Sequence, residues 1–215
     1  MNAQTERLTL TGPMGSIEAL RDQAVLAADA APRGIAIVAH PHPLFGGTMD
    51  NKVVQTLARA FVQSGWTTVR FNFRGVGATE GVHDNGAGEL DDLLAVIEQV
   101  APEGPIALSG FSFGSFVTSH AVEKLATSRR IEQIVFVGTA ASRFKVAPIP
   151  QELHERSLIV HGEADDTVSL SSVMDWARPQ ILPVTVVPGG GHFFHGQLPL
   201  LKGLVLRHLR SASAL

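Results

Sequence analysis

The feature that most constrains the fold is a regular alternation of short apolar runs with segments of helical periodicity. Six apolar runs are found, at 34–40, 67–73, 105–111, 131–138, 157–162 and 183–189. Apolar residues at helical spacing occur between or after them, at 51–65, 89–100, 115–126, 171–177 and 198–209. Continuous apolar runs are typical of strands covered on both faces, and parallel neighbouring strands need crossover connections. The alternation therefore predicts an α/β fold, with a mostly parallel central sheet and helices on both faces.

The start of the chain follows a different pattern. Residues 7–12 and 16–22 alternate apolar and polar side chains around a Gly-Pro-Met-Gly turn, which predicts an antiparallel hairpin at the sheet edge. The chain has 215 residues, 45% of them hydrophobic, which is enough for a sizeable core and excludes intrinsic disorder. No Pro-, Gly- or Ser-rich linker divides the sequence, so we expect a single domain over residues 1–215.

Charge and cysteine content exclude several classes of function. Seventeen Lys and Arg against twenty Asp and Glu give a net charge of −3, so we expect neither a nucleic-acid nor a membrane partner. The absence of cysteine excludes a disulfide framework, a thiolate metal site and a cysteine nucleophile. Residues 1–10 lack a basic segment followed by an apolar run, so no secretory leader is expected there and the predicted location is cytoplasmic.

The clearest chemical motif is GFSFG (110–114), a G-x-S-x-G placed where the strand at 105–111 meets the helix at 115–126. Such a turn is so sharp that the serine has a strained backbone, and the flanking glycines relieve crowding. It exposes the Ser112 hydroxyl and points the positive end of the helix dipole at the same place. A helix-capping serine is the structural alternative, but the strand-turn-helix context favours Ser112 as a nucleophile.

An acidic cluster follows the strand at 157–162. The segment HGEADDTV (161–168) places three carboxylates just past the strand end, where one of them could hold a histidine. We rank Asp165 first, Asp166 second and Glu163 third as the acid that orients the base. A solvated acidic turn is the structural alternative.

A histidine follows the next strand, which ends in three consecutive glycines. His192 comes directly after them, and His195 is its competitor as the general base. A serine nucleophile needs a base to take its proton and an acid to orient that base. Serine, aspartate and histidine each follow a separate strand, in the chain order of the α/β hydrolases.

The loop HPHPLFGGT (40–48) follows the first parallel strand and is the expected source of an oxyanion donor. Acyl transfer needs two N–H groups aimed at the developing oxyanion. One is expected from Phe113, directly after the nucleophile. The two prolines of the loop have no N–H, so His42 or Leu44 is the available second donor; we favour His42, with Leu44 as the fallback.

Two other patterns resemble cofactor sites in part. His40 and His42 have the His-x-His spacing of a metal site, but no third ligand follows closely, and loop-fixing hydrogen bonds are the preferred interpretation. The glycines of 75–81 lack both the G-x-G-x-x-G spacing and the helix start that a dinucleotide needs. We therefore expect no metal and no cofactor.

Arg74 stands directly before those glycines. It could hold an acidic group of a substrate. The preferred interpretation is an ion pair with a nearby carboxylate, such as Glu80 or Asp84.

The chain resembles the α/β-hydrolase superfamily over about residues 30–210. More closely, it is similar to small bacterial dienelactone-hydrolase-like or serine-esterase proteins. The matching segments are HPHPLFGGTMDNKVV (40–54), RFNFRGVGATEG (70–81), GFSFG (110–114), HGEADDTV (161–168) and GHFFHG (191–196). The resemblance implies an α/β-hydrolase fold with Ser112 as nucleophile, Asp165 as acid and His192 as base. Dienelactone hydrolases use a cysteine nucleophile, which this chain lacks.

The spacing between two predicted strands also bears on substrate size. Relatives with a helical cap insert it after the strand at 131–138, whereas this chain has only residues 139–156 there. We therefore expect no cap domain and a shallow, open site. Four phenylalanines are candidates for an apolar wall: Phe45, Phe113, Phe193 and Phe194.

These observations predict a serine hydrolase that cleaves small carboxylic esters or thioesters through an acyl-enzyme. Two alternatives stay open: a peptidase-type amide hydrolase, and an idle α/β-hydrolase scaffold that binds a ligand or partner. The predicted partner is the small-molecule substrate. The sequence leaves the oligomeric state and the identity of that substrate open.

Overall fold

The computed structural model describes residues 5–28 and 30–211. Residues 1–4, which belong to the segment 1–10 where no secretory leader is expected, lie outside these ranges. Within them, eight strands form one sheet: β1 Thr5–Gly12, β2 Gly15–Asp22, β3 Ile35–Ala39, β4 Thr67–Phe71, β5 Ile106–Phe111, β6 Ile131–Val137, β7 Ser157–Gly162 and β8 Val184–Val187. The helices are α1 Lys52–Gln63, α2 Ala87–Val100, α3 Phe113–Leu125, α4 Leu170–Ala177 and α5 Leu198–Ser211. Short 3₁₀ turns occupy Pro43–Phe45, Gln151–Arg156 and Arg178–Gln180.

The strand order is β1-β2-β4-β3-β5-β6-β7-β8. β1 and β2 form the expected antiparallel hairpin, β2 pairs antiparallel with β4, and every later pair is parallel. The chain passes from β3 to β4 on one side and then to β5 on the other. Loops that leave the carboxyl ends of β3 and β5 therefore diverge, which opens the crevice where such sheets bind ligands.

The core lies on both faces of the sheet, as the apolar runs predict. All six residues of β5, the central strand, are buried. α1 and α5 cover one face, with side chains such as Phe61 and Val205 packed against β3, β5 and β6. α2, α3 and α4 cover the other face, around side chains such as Leu93 and Val117. The predicted mostly parallel sheet with helices on both faces is confirmed.

Several boundaries differ from the sequence-based expectation by one or two residues, and two of these differences have a clear cause. The helix expected from residue 115 begins at Phe113, because the turn after β5 leads directly into it. The strand expected over 183–189 is only Val184–Val187, since Pro188 has no N–H for the ladder and Gly189 has a φ of 62°.

Between β6 and the 3₁₀ turn that begins at Gln151, residues 138–150 contain no helix and no strand. The prediction that the fold has no cap domain is therefore confirmed. Among the described residues, no helix has the length and apolarity that a membrane span requires.

Candidate active site

Ser112 occupies the sharp turn between β5 and α3. Its φ of 56° and ψ of −116° lie where residues other than glycine are strained. A Cβ at Gly110 would clash with the backbone of Gly114, and a Cβ at Gly114 would clash with the carbonyl of Ala39. Both glycines are thus required by close backbone approach. The turn holds the Ser112 side chain at the N-terminus of α3, the position that the motif predicts.

The structure brings Ser112, His192 and Asp165 together in one hydrogen-bonded chain. His192 Nε2 lies 3.0 Å from Ser112 Oγ, and His192 Nδ1 lies 2.7 Å from Asp165 Oδ2. All three side chains are at least nine-tenths buried. An ionised Asp165 can only accept, so the neutral His192 ring donates its Nδ1–H to Asp165 Oδ2 and leaves Nε2 free to accept the hydroxyl proton.

Asp165 is held as a carboxylate by several donors. Its Oδ1 accepts the backbone N–H groups of Thr167 at 2.9 Å and Val168 at 2.8 Å, while Oδ2 faces His192. Burial acts to raise the pKa of Asp165, but the hydrogen bond from His192 and the two amides outweigh it, so its pKa lies below the ordinary value. The group therefore stays charged at neutral pH.

The lower-ranked candidates lie elsewhere. Asp166 is exposed and accepts from the neighbouring Thr167 hydroxyl, at 3.3 Å. Glu163 is exposed and accepts the N–H of Gly189 at 3.0 Å, which ties two loops together. His195 is exposed, and its ring contacts Phe193 but not Ser112.

Glycines let the loop that carries the acid approach the loop that carries His192. A Cβ at Gly162 would clash with the Gly190 carbonyl, which accepts the N–H of Ala164 at 2.9 Å. Gly138, at the end of β6, has a φ of 55°, and a Cβ there would lie 3.2 Å from the His192 ring. The ring thus sits in a space that only small residues leave open.

His161 is a buried neighbour of Asp165 that the sequence reasoning missed. Its Nε2 donates to the Val168 carbonyl at 2.9 Å and lies 3.6 Å from Asp165 Oδ2. Burial lowers its pKa, so the ring is neutral at pH 7. The bond fixes the carboxyl end of β7 to the segment that donates to Asp165. The sequence signal that could have identified His161 is its position directly before the acidic turn.

Two backbone N–H groups are unpaired beside Ser112. Among the described residues, neither Phe113 N–H nor His42 N–H donates a hydrogen bond, whereas Leu44 N–H donates to His42 Nδ1 at 3.2 Å. The His42 carbonyl accepts from Phe45 and Gly47, which fixes the turn of the loop. This arrangement favours His42 over Leu44 as the second oxyanion donor.

The His42 ring is a structural acceptor in this loop. Burial, and then the nearby charges of His83 and Arg143, lower its pKa, while Glu89 opposes them. The His42 ring therefore stays neutral at pH 7, as its acceptor role at Nδ1 requires. His83 packs against it with ring centroids 4.6 Å apart, and its Nδ1 lies 2.7 Å from Glu89 Oε1.

His40 is locked by backbone groups on both ring nitrogens. Nδ1 donates to the Pro41 carbonyl at 2.6 Å, and Nε2 accepts the N–H of Phe73 at 3.0 Å. Burial lowers its pKa to about 4. Neither nitrogen is left to bind a metal, so the His-x-His pattern reflects loop-fixing bonds. Within residues 5–28 and 30–211, no group of three His, Asp or Glu side chains is arranged to hold a metal ion.

The expected partners of Arg74 are corrected by the structure. Its guanidinium pairs with Asp92 at 2.9 Å and 2.8 Å, and Asp92 also accepts the backbone N–H of Arg74. Glu80 instead accepts from the backbone N–H and hydroxyl of Ser16. Asp92 lies one turn into α2, and only the fold brings it to Arg74.

A cavity of about 300 Å³ opens beside Ser112 and His192. Three of the four expected phenylalanines line it, namely Phe45, Phe113 and Phe193. Phe194 does not, because it is fully buried in the core against α5. Phe144 and Arg143, from the segment after β6, also line the cavity. The sequence reasoning judged that segment only by its length, so these two residues were missed.

Comparison with known proteins agrees with this architecture. Residues 30–155 match the family model described as serine aminopeptidase, S33. An α/β serine hydrolase without a lid from Xanthomonas campestris is 35% identical, with a TM-score of 0.85 over 98% of this chain and 96% of that one. An α/β serine hydrolase homologue from Coxiella burnetii is 37% identical, with a TM-score of 0.78 over 95% and 97% of the two chains.

A further relative is an uncharacterised protein of Rickettsia prowazekii. It is 33% identical over 206 residues, which cover 87% of this chain and 82% of that protein. Fold and relatives together define the class as the lid-less α/β serine hydrolases. The chain belongs to the serine aminopeptidase S33 family of that class. The resemblance to the α/β-hydrolase superfamily is thereby confirmed.

Proposed function

We propose that the protein hydrolyses small carboxylic esters or thioesters through a covalent acyl-enzyme. The observation that carries the proposal is the continuous chain from Asp165 Oδ2 through His192 to Ser112 Oγ, with bonds of 2.7 Å and 3.0 Å. In this geometry the serine has a base, the base has an acid that fixes its tautomer, and the nucleophile lies at a helix N-terminus.

In the acylation step, Ser112 Oγ attacks the carbonyl carbon while its proton passes to His192 Nε2. The carbonyl π electrons move to the oxygen, which accepts the unpaired N–H groups of Phe113 and His42. The negative charge of Asp165 stabilises the imidazolium that forms. Collapse of the tetrahedral intermediate then breaks the bond to the alcohol or thiol, which leaves with the proton from Nε2.

In the deacylation step, water takes the place of the leaving group. His192 Nε2 removes a proton from that water as it attacks the acyl carbon, and the same two N–H groups stabilise the oxyanion. The Ser112 oxygen leaves with the proton held on Nε2, which restores the free enzyme and releases the acid. Ester and thioester pass through the same intermediates, so both are included.

The charges around the cavity favour esters over the peptides that the family description names. An aminopeptidase has to hold the positive α-amino group of its substrate, and a carboxylate is the usual partner. Among the described residues that line the cavity there is no Asp or Glu, and Arg143 adds a positive charge. A free amino terminus would be repelled here.

The test compares hydrolysis by the wild type and by Ser112→Ala. Substrates are p-nitrophenyl acetate and butyrate, a short-chain acyl thioester, and aminoacyl p-nitroanilides. We expect the esters and the thioester to be cleaved, and kcat to fall about 10⁴-fold or more in the variant. The anilides are expected to be inert.

Ser128→Ala is the matched control, because Ser128 is exposed and lies beyond the end of α3. It should hydrolyse the esters at the wild-type rate. An ester rate that is the same in Ser112→Ala as in the wild type, with both folded, would contradict the proposal. Cleavage of the anilides alone would favour the peptidase alternative.

A further inference from the structure

The cavity beside Ser112 contains a charged side chain that the proposed mechanism does not use. Arg143 lines the cavity and is exposed. Its guanidinium makes no hydrogen bond or ion pair with any residue in 5–28 or 30–211. Its charge nevertheless reaches the site, since it contributes with burial and His83 to the lowered pKa of His42.

The backbone at Arg143 is fixed although its side chain is free. The N–H groups of Arg143 and Phe144 both donate to the Ala140 carbonyl, at 3.2 Å and 3.1 Å. Phe144 stacks on Phe116 with centroids 4.6 Å apart and packs edge-on against Phe113 at 5.3 Å. The Arg143 side chain thus extends from a hydrogen-bonded turn that packs against Phe113.

Nothing within the cavity competes for this positive charge. Its lining includes no Asp or Glu among the described residues, and the nearby Asp165 is buried and occupied by His192 and two amides. A planar guanidinium with five donors matches a carboxylate in a bidentate pair. The remaining surface of the cavity is largely aromatic, from Phe45, Phe144 and Phe193.

We propose that Arg143 determines substrate specificity by binding a carboxylate carried by the ester, so that the preferred substrates are monoesters or monothioesters of dicarboxylic acids. The carboxylate pairs with Arg143 while the apolar part of the substrate lies against the phenylalanines and the ester carbonyl reaches Ser112. This inference rests on the proposed function and names the substrate class of the same site.

The experiment compares monoethyl glutarate with ethyl pentanoate, which have the same acyl chain length and differ in the terminal carboxylate. The readout is the ratio of kcat/KM for the anionic ester to that for the neutral ester. We expect the wild type to prefer the anionic ester, and the ratio to fall about tenfold in Arg143→Ala and further in Arg143→Glu. Because Arg143 is exposed, the wild-type ratio should also fall as salt is raised.

Lys145→Ala is the matched control. It also removes one positive charge, two residues from Arg143, but the Lys145 side chain does not line the cavity. Its ratio should equal that of the wild type. An unchanged ratio in Arg143→Ala, or an equal fall in Lys145→Ala, would overturn the inference. The proposed function would still stand if ester hydrolysis depends on Ser112. If the wild type hydrolyses p-nitrophenyl acetate but neither ethyl ester, the inference alone fails. If it does not hydrolyse p-nitrophenyl acetate either, the proposed function fails and the inference fails with it.

Discussion

Two regions of the molecule bury the same pair of residue types and use them differently. In the segments after β7 and β8, Asp165 and His192 bond to each other, and the free end of the imidazole reaches a serine. In the segment after β4, His40 and Asp92 do not meet. They accept the consecutive backbone N–H groups of residues 73 and 74.

The two regions differ in the hydrogen-bond partners of the histidine and of the aspartate. His40 is held by backbone on both nitrogens, and Asp92 faces a permanent cation, Arg74. Both groups hold backbone and ion-pair partners of the fold and have no contact with the Ser112 hydroxyl. His192 has an acid on one side and a hydroxyl on the other, so it can relay a proton. Burial and residue type alone do not separate the two cases.

The comparison is tested most strongly by Asp165→Asn. The asparagine oxygen can still accept from Thr167 and Val168, but its amide donates to His192 Nδ1 and forces the tautomer that cannot take the serine proton. We expect kcat for ester hydrolysis to fall about 10⁴-fold with little change in the unfolding midpoint. Asp166→Asn, at the exposed neighbour, should keep the wild-type rate. Equal losses in both variants would contradict the assignment.

The second test removes the structural carboxylate. Asp92→Asn leaves the buried guanidinium of Arg74 without its charged partner, so the free energy of unfolding should fall by about 3–5 kcal/mol. Urea denaturation measures this loss. Asp91→Asn changes an exposed residue of the same helix and should cost little. If Asp92→Asn is as stable as Asp91→Asn, the ion pair is not a structural support.

The third test uses pH. The pKa of His40 is about 4 in the folded protein, against 6.5 in the unfolded chain. Above pH 6.5 the ring is neutral in the folded and the unfolded chain, so its contribution to the free energy of unfolding is fully present. Below that, the unfolded chain takes up the proton first, so about 2–3 kcal/mol of stability should be lost by pH 4.5.

Urea unfolding at pH 7 and pH 4.5 measures that loss in the wild type and in His40→Gln. The variant is expected to lose about 2–3 kcal/mol less between the two pH values, whatever its stability at pH 7. If the variant does not fold, an NMR titration of the wild type supplies the same information, because the His40 ring should stay neutral to near pH 4. A titration near pH 6.5 would refute the locked state.

The sequence predicted those parts of the molecule that local pattern determines. The strand-helix alternation and the hairpin depend on apolar periodicity, which is a property of neighbouring residues. The G-x-S-x-G turn is also local, since close backbone approach at Gly110 and Gly114 is what requires the glycines. These features could be placed to within a few residues.

Several contacts that the sequence could not place join distant segments. Asp92 reaches Arg74 only because the fold brings α2 against the segment that follows β4, whereas Glu80 and Asp84 are nearer along the chain. Phe193 and Phe194 are adjacent, yet Phe193 lines the cavity and Phe194, which has a φ of 51°, is buried in the core. Arg143 had no motif around it, and its importance follows from the cavity it lines.

The most direct test of the account is labelling with a fluorophosphonate probe, read by intact mass, on the wild type and Ser112→Ala. An activated serine forms one covalent adduct, so we expect a single mass increase in the wild type and none in the variant. An adduct that persists in Ser112→Ala would place the nucleophile elsewhere. A folded wild type that forms no adduct would contradict the relay from Asp165 through His192, and the chain would then be an idle scaffold.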